Sequence, residues 1–203
     1  VNESSLIEAG GTLTLKAEQL INRKEAFETE DVVTRNVYKN VSISVPSGYK
    51  RASRNYTETI VETVVTKDSP EGRILAGGDM MLEGAIDNIY STISAGGDLS
   101  FQGAYLNNQD YVGRYEVTHQ GTDSLVYSQR YCKRRLLGGC ISRGRRDRTE
   151  TRGYNKTSKE SLVLASAVFS ANEDLTGRAG SVQNGDGFVF KPYGGQGDNG
   201  PPP

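Results

Sequence analysis

The chain has 203 residues, a formal net charge of -1, 24 glycines and no tryptophan. The near-zero balance excludes a large single-sign electrostatic field over the whole molecule. The sequence contains no apolar run long enough to span a bilayer and no signal peptide. The segments rich in Thr, Ser, Tyr and Val favour an all-β chain with many turns.

One pattern occurs four times: a small turn, a strand, a second turn, and an asparagine at a nearly fixed distance. The two central copies are 19 residues apart, and repetition at a short period is the signature of a solenoid. The turn is Ala-Gly-Gly in the two central copies, which lets the backbone bend and takes little volume at a corner. The copies are Ile7–Leu15, Ile74–Leu82, Ile93–Phe101 and Phe169–Gly177.

Alternation within each copy predicts one strand face that points inward, with Leu13 and Leu15 in the first copy as examples. One coil cannot bury this face alone, so the coils are expected to stack as a parallel β-helix. The recurrent asparagines predict a stacked polar ladder at one corner. A leucine-rich repeat has a different spacing, although Gly-Gly turns before strands also occur in other β proteins. The ladder residues are Asn22, Asn88, Asn108 and Asn184.

Two long insertions interrupt the repeats. The first alternates over Val32–Val45, turns at Pro46-Ser47-Gly48, and alternates again over Tyr56–Thr66, which is typical of a hairpin. The second has strand-like segments on both sides of a cysteine loop. We expect both to be hairpins extruded from the same side of the solenoid, where they form a binding face and can pair with each other. The predicted organisation is one β-helical segment over 1–193, with coils at 6–22, 74–90, 91–109 and 161–185 and insertions at 23–72 and 109–158.

The last residues, 194–203, are rich in glycine and proline. They resemble the start of a Ca²⁺-binding glycine repeat, but the aspartate is one place out of register and there is one copy. A flexible tail is therefore expected. Because the chain begins within the repeat pattern, we expect it to be a fragment of a longer protein.

Cys132 and Cys140 lie close together in the second insertion. A zinc site needs four ligands, and only His119 is available to help. A disulfide that closes a small loop is the expected arrangement, and it implies an oxidising, extracellular setting. Two free thiols in a reducing compartment are the alternative.

The stretch around these cysteines is strongly basic, with Asp147 as the one opposing charge. Leu136 and Leu137 are expected at the tip of the loop, inside a cationic rim that can meet acidic protein loops, lipopolysaccharide phosphates or glycan carboxylates. Nucleic acid is not expected, because no aromatic stacking module accompanies the charge. The alternative is a solvated charge run balanced by Glu25, Glu28, Glu30 and Asp31. The candidate partner-binding residues are Arg130, Tyr131, Lys133, Arg134, Arg135, Leu136, Leu137, Arg143, Arg145 and Arg146, with Arg148 adjoining them.

Catalysis is not expected. Asp79, Asp98 and Asp174 would stack in one column, but each follows a tight turn where aspartate commonly bonds the backbone, and the first copy has Thr12 there. His119 lies in a polar segment and is expected to be a surface-loop residue, not a general base. No phosphate cradle, nucleophile elbow or metal-ligand cluster appears, so no cofactor is expected. The tyrosines of the insertions fit either interface anchors or cross-strand packing partners.

The repeats over 76–84 and 95–108 resemble the haemagglutinin repeats of filamentous haemagglutinins, the large exoproteins of Gram-negative two-partner secretion. That family includes adhesins and the CdiA effectors of contact-dependent growth inhibition. The resemblance covers somewhat less than half of the chain and implies a right-handed parallel β-helical filament, secreted and displayed at the bacterial surface. In the CdiA group, a non-repetitive region near the end of the first repeat block recognises a receptor on the outer membrane of the target cell.

The resemblance and the insertions together predict a non-enzymatic receptor-binding or adhesion segment that serves toxin delivery. Its expected partner is an outer-membrane protein or lipopolysaccharide of a target bacterium, or a host-cell glycan or receptor. A purely structural filament segment is the first alternative, and a carbohydrate-active β-helix enzyme is the second.

Overall fold

A computed structural model describes residues 1–184 and 191–192, and the predicted flexible tail at 194–203 lies outside this part. The described residues form strands and turns, with no helix long and apolar enough to cross a membrane. The all-β prediction is therefore confirmed. The strands are β1 (Asn2–Glu3), β2 (Leu6–Ala9), β3 (Leu13–Arg23), β4 (Phe27–Ser42), β5 (Arg51–Asp68), β6 (Arg73–Ala76), β7 (Met80–Ile89), β8 (Thr92–Ala95), β9 (Leu99–Gln109), β10 (Tyr111–Leu136), β11 (Gly139–Ala165), β12 (Val168–Ala171), β13 (Leu175–Asn184) and β14 (Lys191–Pro192).

The repeats form two parallel sheets. The larger sheet has the order β1-β3-β7-β9-β13-β14, and the smaller has the order β12-β8-β6-β2. Equivalent positions of the four copies are paired neighbours: Leu13 lies beside Met80, Met80 beside Leu99, and Leu99 beside Leu175. This is the register that the sequence alignment of the copies predicts, and it is compatible with a β-helix.

The repeat core consists of the inward-facing apolar residues of the two central copies. They are fully or almost fully buried because each is covered by the equivalent residue of the next strand. The first copy lies nearer the edge, so Leu13, Leu15 and Leu20 are only partly buried. The most deeply buried apolar side chains are Ile74, Met80, Leu82, Ile86, Ile93, Leu99 and Leu106.

The predicted asparagine ladder is present for the residues whose side chains the structure describes. The Nδ2 of Asn22 donates to Oδ1 of Asn88 at 2.8 Å, and the Nδ2 of Asn88 donates to Oδ1 of Asn108 at 2.7 Å. Asn2, which the repeat pattern did not include, extends the ladder by donating to Asn22 at 2.8 Å. The ladder therefore satisfies polar groups inside the stack.

The shorter second copy is accommodated by a register shift in β7. The pairing of β3 with β7 shifts between Lys16 and Gln19, and that of β7 with β9 shifts between Glu83 and Ile86. Gly84 lies at this point with φ of 132°. Glycine tolerates this backbone conformation because it has no Cβ, whereas residues that carry a Cβ rarely adopt it.

The four longest strands form a separate sheet with the order β11-β10-β5-β4. β5 and β10 pair antiparallel from Tyr115 opposite Glu62 to Val126 opposite Arg51, so strands from the two insertions are hydrogen-bonded to each other. Gly121 is essential to this pairing, because a Cβ there would lie 1.9 Å from the carbonyl oxygen of Asn55.

The chain divides into two compact units. Among the described residues, the repeat unit comprises Val1–Glu30, Val64–Gly113, 162–184 and 191–192, and the hairpin unit comprises Asp31–Thr63 and Arg114–Ser161. Residues 161–165, which were expected to begin a coil, are the last residues of β11, and from Leu162 they belong to the repeat unit. Alternation with a period of two occurs in any half-buried strand, so it does not distinguish a coil from the end of a hairpin.

Candidate functional site

The candidate site is the end of the β10–β11 hairpin, which we call the basic tip and define as residues 130–148. β10 ends at Leu136 and β11 begins at Gly139, so the connecting turn has two residues. Both have positive φ, 47° for Leu137 and 84° for Gly138, as a tight type I′-like turn requires. This turn matches the natural twist of the two strands.

A disulfide joins Cys132 on β10 to Cys140 on β11, with the Cα atoms 5.7 Å apart. It encloses the turn, which includes Leu137, and the adjacent Leu136. By loop-closure entropy, a cross-link over so short a loop contributes roughly 2–3 kcal/mol to local stability. The end of the hairpin is thus held in one conformation before any partner arrives.

The cations of the basic tip have few anionic partners. Asp147, the one acidic residue in this stretch, pairs with Lys50 at 2.6 Å. Arg146 and Arg148 donate to the amide oxygen of Gln129, and the Arg146 guanidinium lies 5.3 Å from the ring centre of Tyr131. In the part of the chain that the structure describes, no ion pair involves Arg130, Lys133, Arg134, Arg135, Arg143 or Arg145.

Two of the four acidic residues considered as counter-charges pair with other cations. Asp31 pairs with Arg114 at 2.8 Å, and Glu28 pairs with Lys67 at 3.4 Å. The hydrogen bond from Thr63, and then the neighbouring Arg114, lower the pKa of Asp31. The Asp31 carboxylate therefore stays charged beside Thr63 and Arg114. The basic tip therefore retains an uncompensated positive charge.

Apolar side chains cover the apex of the basic tip. Leu137 is fully exposed (101%), Leu136 is 62% exposed, and Ile141 across the hairpin is 57% exposed. The sequence interpretation included both leucines but missed Ile141. Its position one residue after Cys140 was the available signal, because the disulfide aligns the two strands there.

A network of aromatic and charged side chains lies on the same hairpin unit. Tyr49 donates a hydrogen bond to Glu150, which lowers the pKa of Glu150 and raises the pKa of Tyr49. Arg152 also contacts both residues. The rings of Tyr49 and Tyr127 meet edge to face, with centres 6.0 Å apart. These contacts indicate cross-strand packing for these tyrosines.

His119 is not the surface-loop residue that its polar neighbours suggested. It lies within β10 opposite Glu58, is largely shielded, and its Nε2 is 3.1 Å from Glu58 Oε2. Its ring is also 4.7 Å from that of Tyr56. The sequence signal failed because this strand pair shields a polar pair where an apolar pair is usual.

Glu58 is a buried carboxylate at the centre of a partly exposed cluster of charges. Its carboxylate accepts a hydrogen bond from Lys39 at 2.7 Å, and Arg35 lies 3.4 Å away. The hydrogen bond from Lys39 is the main cause that lowers the pKa of Glu58, with His119 and the charges of Lys39 and Arg35 adding to it. Removing the Glu58 carboxylate leaves the charges of Lys39 and Arg35 without their anionic partner.

A pH dependence follows from this cluster. Since the folded-state pKa of Glu58 is below its unfolded value of about 4.3, the stabilisation is present above that pH and is lost as the pH falls through the folded pKa. Glu58→Gln is expected to unfold at lower urea concentration than the native chain at pH 7, with a difference that shrinks below about pH 4. Glu62→Gln, a residue with no ion pair in the described part of the chain, is the control. Equal unfolding midpoints for Glu58→Gln and the native chain at pH 7 would contradict the stabilising role of the Glu58 carboxylate.

The stacked aspartates of the repeat unit bond the backbone. Asp79 Oδ1 accepts the amide of Asp98 at 3.0 Å, and Asp98 Oδ1 accepts the amide of Asp174 at 2.9 Å. Among the described residues, no group of three or more potential ligands is arranged to hold a metal ion.

Part of the chain is similar to a known toxin. An alignment of 158 residues, covering 68% of this chain, is 31% identical to Toxin CdiA of Yersinia pestis. The chain contains a CdiA-related region. It spans 5% of the length of that CdiA relative. No protein-family model and no solved structure matches the chain.

Proposed function

We propose that this chain is a target-cell recognition segment of a secreted, CdiA-like exoprotein, and that the basic tip makes the contact. The observation that carries the proposal is the set of tip cations without ion pairs on a disulfide-closed hairpin. A constrained loop loses little conformational entropy on binding, and its charge accelerates encounter with an acidic surface.

In this proposal the repeat unit is a stack of coils from a right-handed parallel β-helix that belongs to a haemagglutinin-repeat filament. Support comes from the parallel register of the four copies and from the asparagine ladder. The two insertions supply the hairpin unit, with predicted boundaries at 23–72 and 109–158.

The setting is proposed to be the bacterial cell surface or the extracellular space. The disulfide supports it, because such bonds persist in oxidising compartments. The relative is named a toxin, so a role in toxin delivery during contact-dependent growth inhibition is part of the proposal for this chain.

The segment is proposed to act by binding and not by catalysis. The backbone hydrogen bonds accepted by Asp79 and Asp98 support a role in turns for the aspartate column. The proposed partner carries acidic groups and is an outer-membrane protein or lipopolysaccharide of the target bacterium. Guanidinium groups bind carboxylates and phosphates with two parallel hydrogen bonds, which favours such a partner.

Binding of the purified chain to whole Gram-negative cells tests this function. The native chain is expected to bind saturably, and the double variant Arg134→Glu/Arg135→Glu is expected to bind at least about tenfold more weakly. Raised salt should weaken native binding as well, because the screening length falls to about 3 Å at 1 M.

The control variant Lys156→Glu/Lys159→Glu changes the net charge equally, at positions on β11 outside the basic tip. Its binding should match that of the native chain. No saturable binding by the native chain would favour the purely structural filament segment. Equal losses in both double variants would show that net charge, and not the basic tip, governs attachment.

A further inference from the structure

The apolar apex of the basic tip has no packing role in the described structure. Leu136, Leu137 and Ile141 protrude at the end of the hairpin, and the buried core clusters do not include them. Exposed side chains of this size at a turn are unfavourable in water unless a partner covers them. Because the apex is convex, a covering partner must either have a matching pocket or be deformable.

Charge and apolar surface are arranged in order along the hairpin. Leu136 and Leu137 lie at the turn, whereas Ile141 and the first cations, Arg134 and Arg135, stand two to three residues behind it. At about 3.3 Å per residue, the guanidinium-bearing positions lie roughly 7–10 Å from the apex. The polar headgroup layer of a bilayer leaf is about 5–7 Å thick, which is a comparable depth.

We propose that the apex of the basic tip inserts into the surface of an anionic lipid bilayer. Leu136 and Leu137 enter the boundary between headgroups and acyl chains, while Ile141 stays at headgroup level with the tip cations, which bind headgroup phosphates. This inference rests on the proposed function, because it names the class of surface that the basic tip contacts. Interfacial binding strength grows with the apolar area buried and with attraction to anionic lipids, and the tip supplies both.

The backbone of the hairpin end suits this environment. β10 and β11 are hydrogen-bonded neighbours in the sheet, and a turn of two residues joins them. Unpaired backbone groups are costly at a lipid interface, and a tight turn minimises their number. The disulfide keeps the two strands together during insertion.

Vesicle binding tests the inference. The native chain is mixed with vesicles of phosphatidylglycerol and phosphatidylcholine, or of phosphatidylcholine alone. It is expected to bind the anionic vesicles and not the neutral ones. Leu136→Ser/Leu137→Ser, which keeps every charge, should weaken partitioning at least about tenfold. Val33→Ser/Val37→Ser removes two exposed apolar residues of β4 and should leave partitioning unchanged.

A fluorescent probe reports the depth of insertion. The chain has no tryptophan, so Leu136→Trp introduces a single indole whose emission should shift to the blue on anionic vesicles. Val33→Trp should show no shift. Circular dichroism and thermal unfolding of each variant verify that the fold is retained, as expected for substitutions at exposed positions.

The outcomes separate the inference from the proposed function. Absence of vesicle binding, binding unaffected by Leu136→Ser/Leu137→Ser, or an unshifted Leu136→Trp spectrum would overturn insertion. If the native chain then still binds cells through Arg134 and Arg135, the recognition function stands and its partner is a protein or glycan. Vesicle insertion without cell binding would support the inference and overturn the recognition function.

Discussion

Asn88→Ala is expected to lower the free energy of unfolding of the repeat unit by about 4 kcal/mol. Asn88 is fully buried and accepts a hydrogen bond from Asn22. Its amide also donates to Asn108 and to the carbonyl oxygens of Ser91 and Val168. Alanine would leave these groups without their partner inside the stack, and each unsatisfied buried group costs about 1–3 kcal/mol.

Urea unfolding combined with amide hydrogen exchange in β7 and β9 measures this loss. Asn107→Ala is the matched control, because Asn107 is adjacent in sequence to a ladder residue but, within the described residues, its side chain donates to the partly exposed Asp87 alone. Its cost should be about 1 kcal/mol or less. Similar costs for the two variants would mean that the ladder does not stabilise the stack.

Gly84→Ala is expected to prevent normal folding of the repeat unit or to destabilise it by more than about 3 kcal/mol. The added Cβ would lie 1.9 Å from the carbonyl oxygen of Ala17, and φ at Gly84 is 132°. The obstructing atom is backbone, so no side-chain rotation relieves the contact. The next strand is equally close, because a Cβ at Gly103 would lie 1.8 Å from the carbonyl oxygen of Gly84.

Thermal unfolding and the yield of soluble protein compare this variant with Gly10→Ala. A Cβ at Gly10 has no atom within 4 Å, so that substitution should change stability by less than about 1 kcal/mol. If Gly84→Ala and Gly10→Ala unfold at the same temperature, β3, β7 and β9 do not approach one another as closely at the register shift as the structure shows.

The repeat register was predictable because one physical constraint recurs in every copy. Each strand must bury the same alternating positions against its neighbour, so aligning Leu13, Met80 and Leu99 in sequence also aligns them in space. The ladder followed from the same alignment. Asn2 was missed because its strand is two residues long and carries no repeat pattern.

The hairpin unit was less predictable because its contacts join distant parts of the chain. Lys50 and Asp147 are 97 positions apart, and nothing in the sequence near Asp147 indicates that this charge is already paired. The position of His119 within β10 depends on Glu58 and Tyr56 across the strand pair. The basic tip could be proposed from the sequence because local composition alone marks it, and its role in binding stays a prediction.

The asparagine ladder also gives the repeat stack a direction. Every amide in it points the same way, since Asn2 donates to Asn22, Asn22 to Asn88, and Asn88 to Asn108. These dipoles align head to tail and polarise one another. A coil grafted into the stack with its amide reversed would place donor against donor on one side and acceptor against acceptor on the other. The ladder therefore selects the orientation of a coil: a new coil fits the stack only when its asparagine continues the same sequence of donors and acceptors.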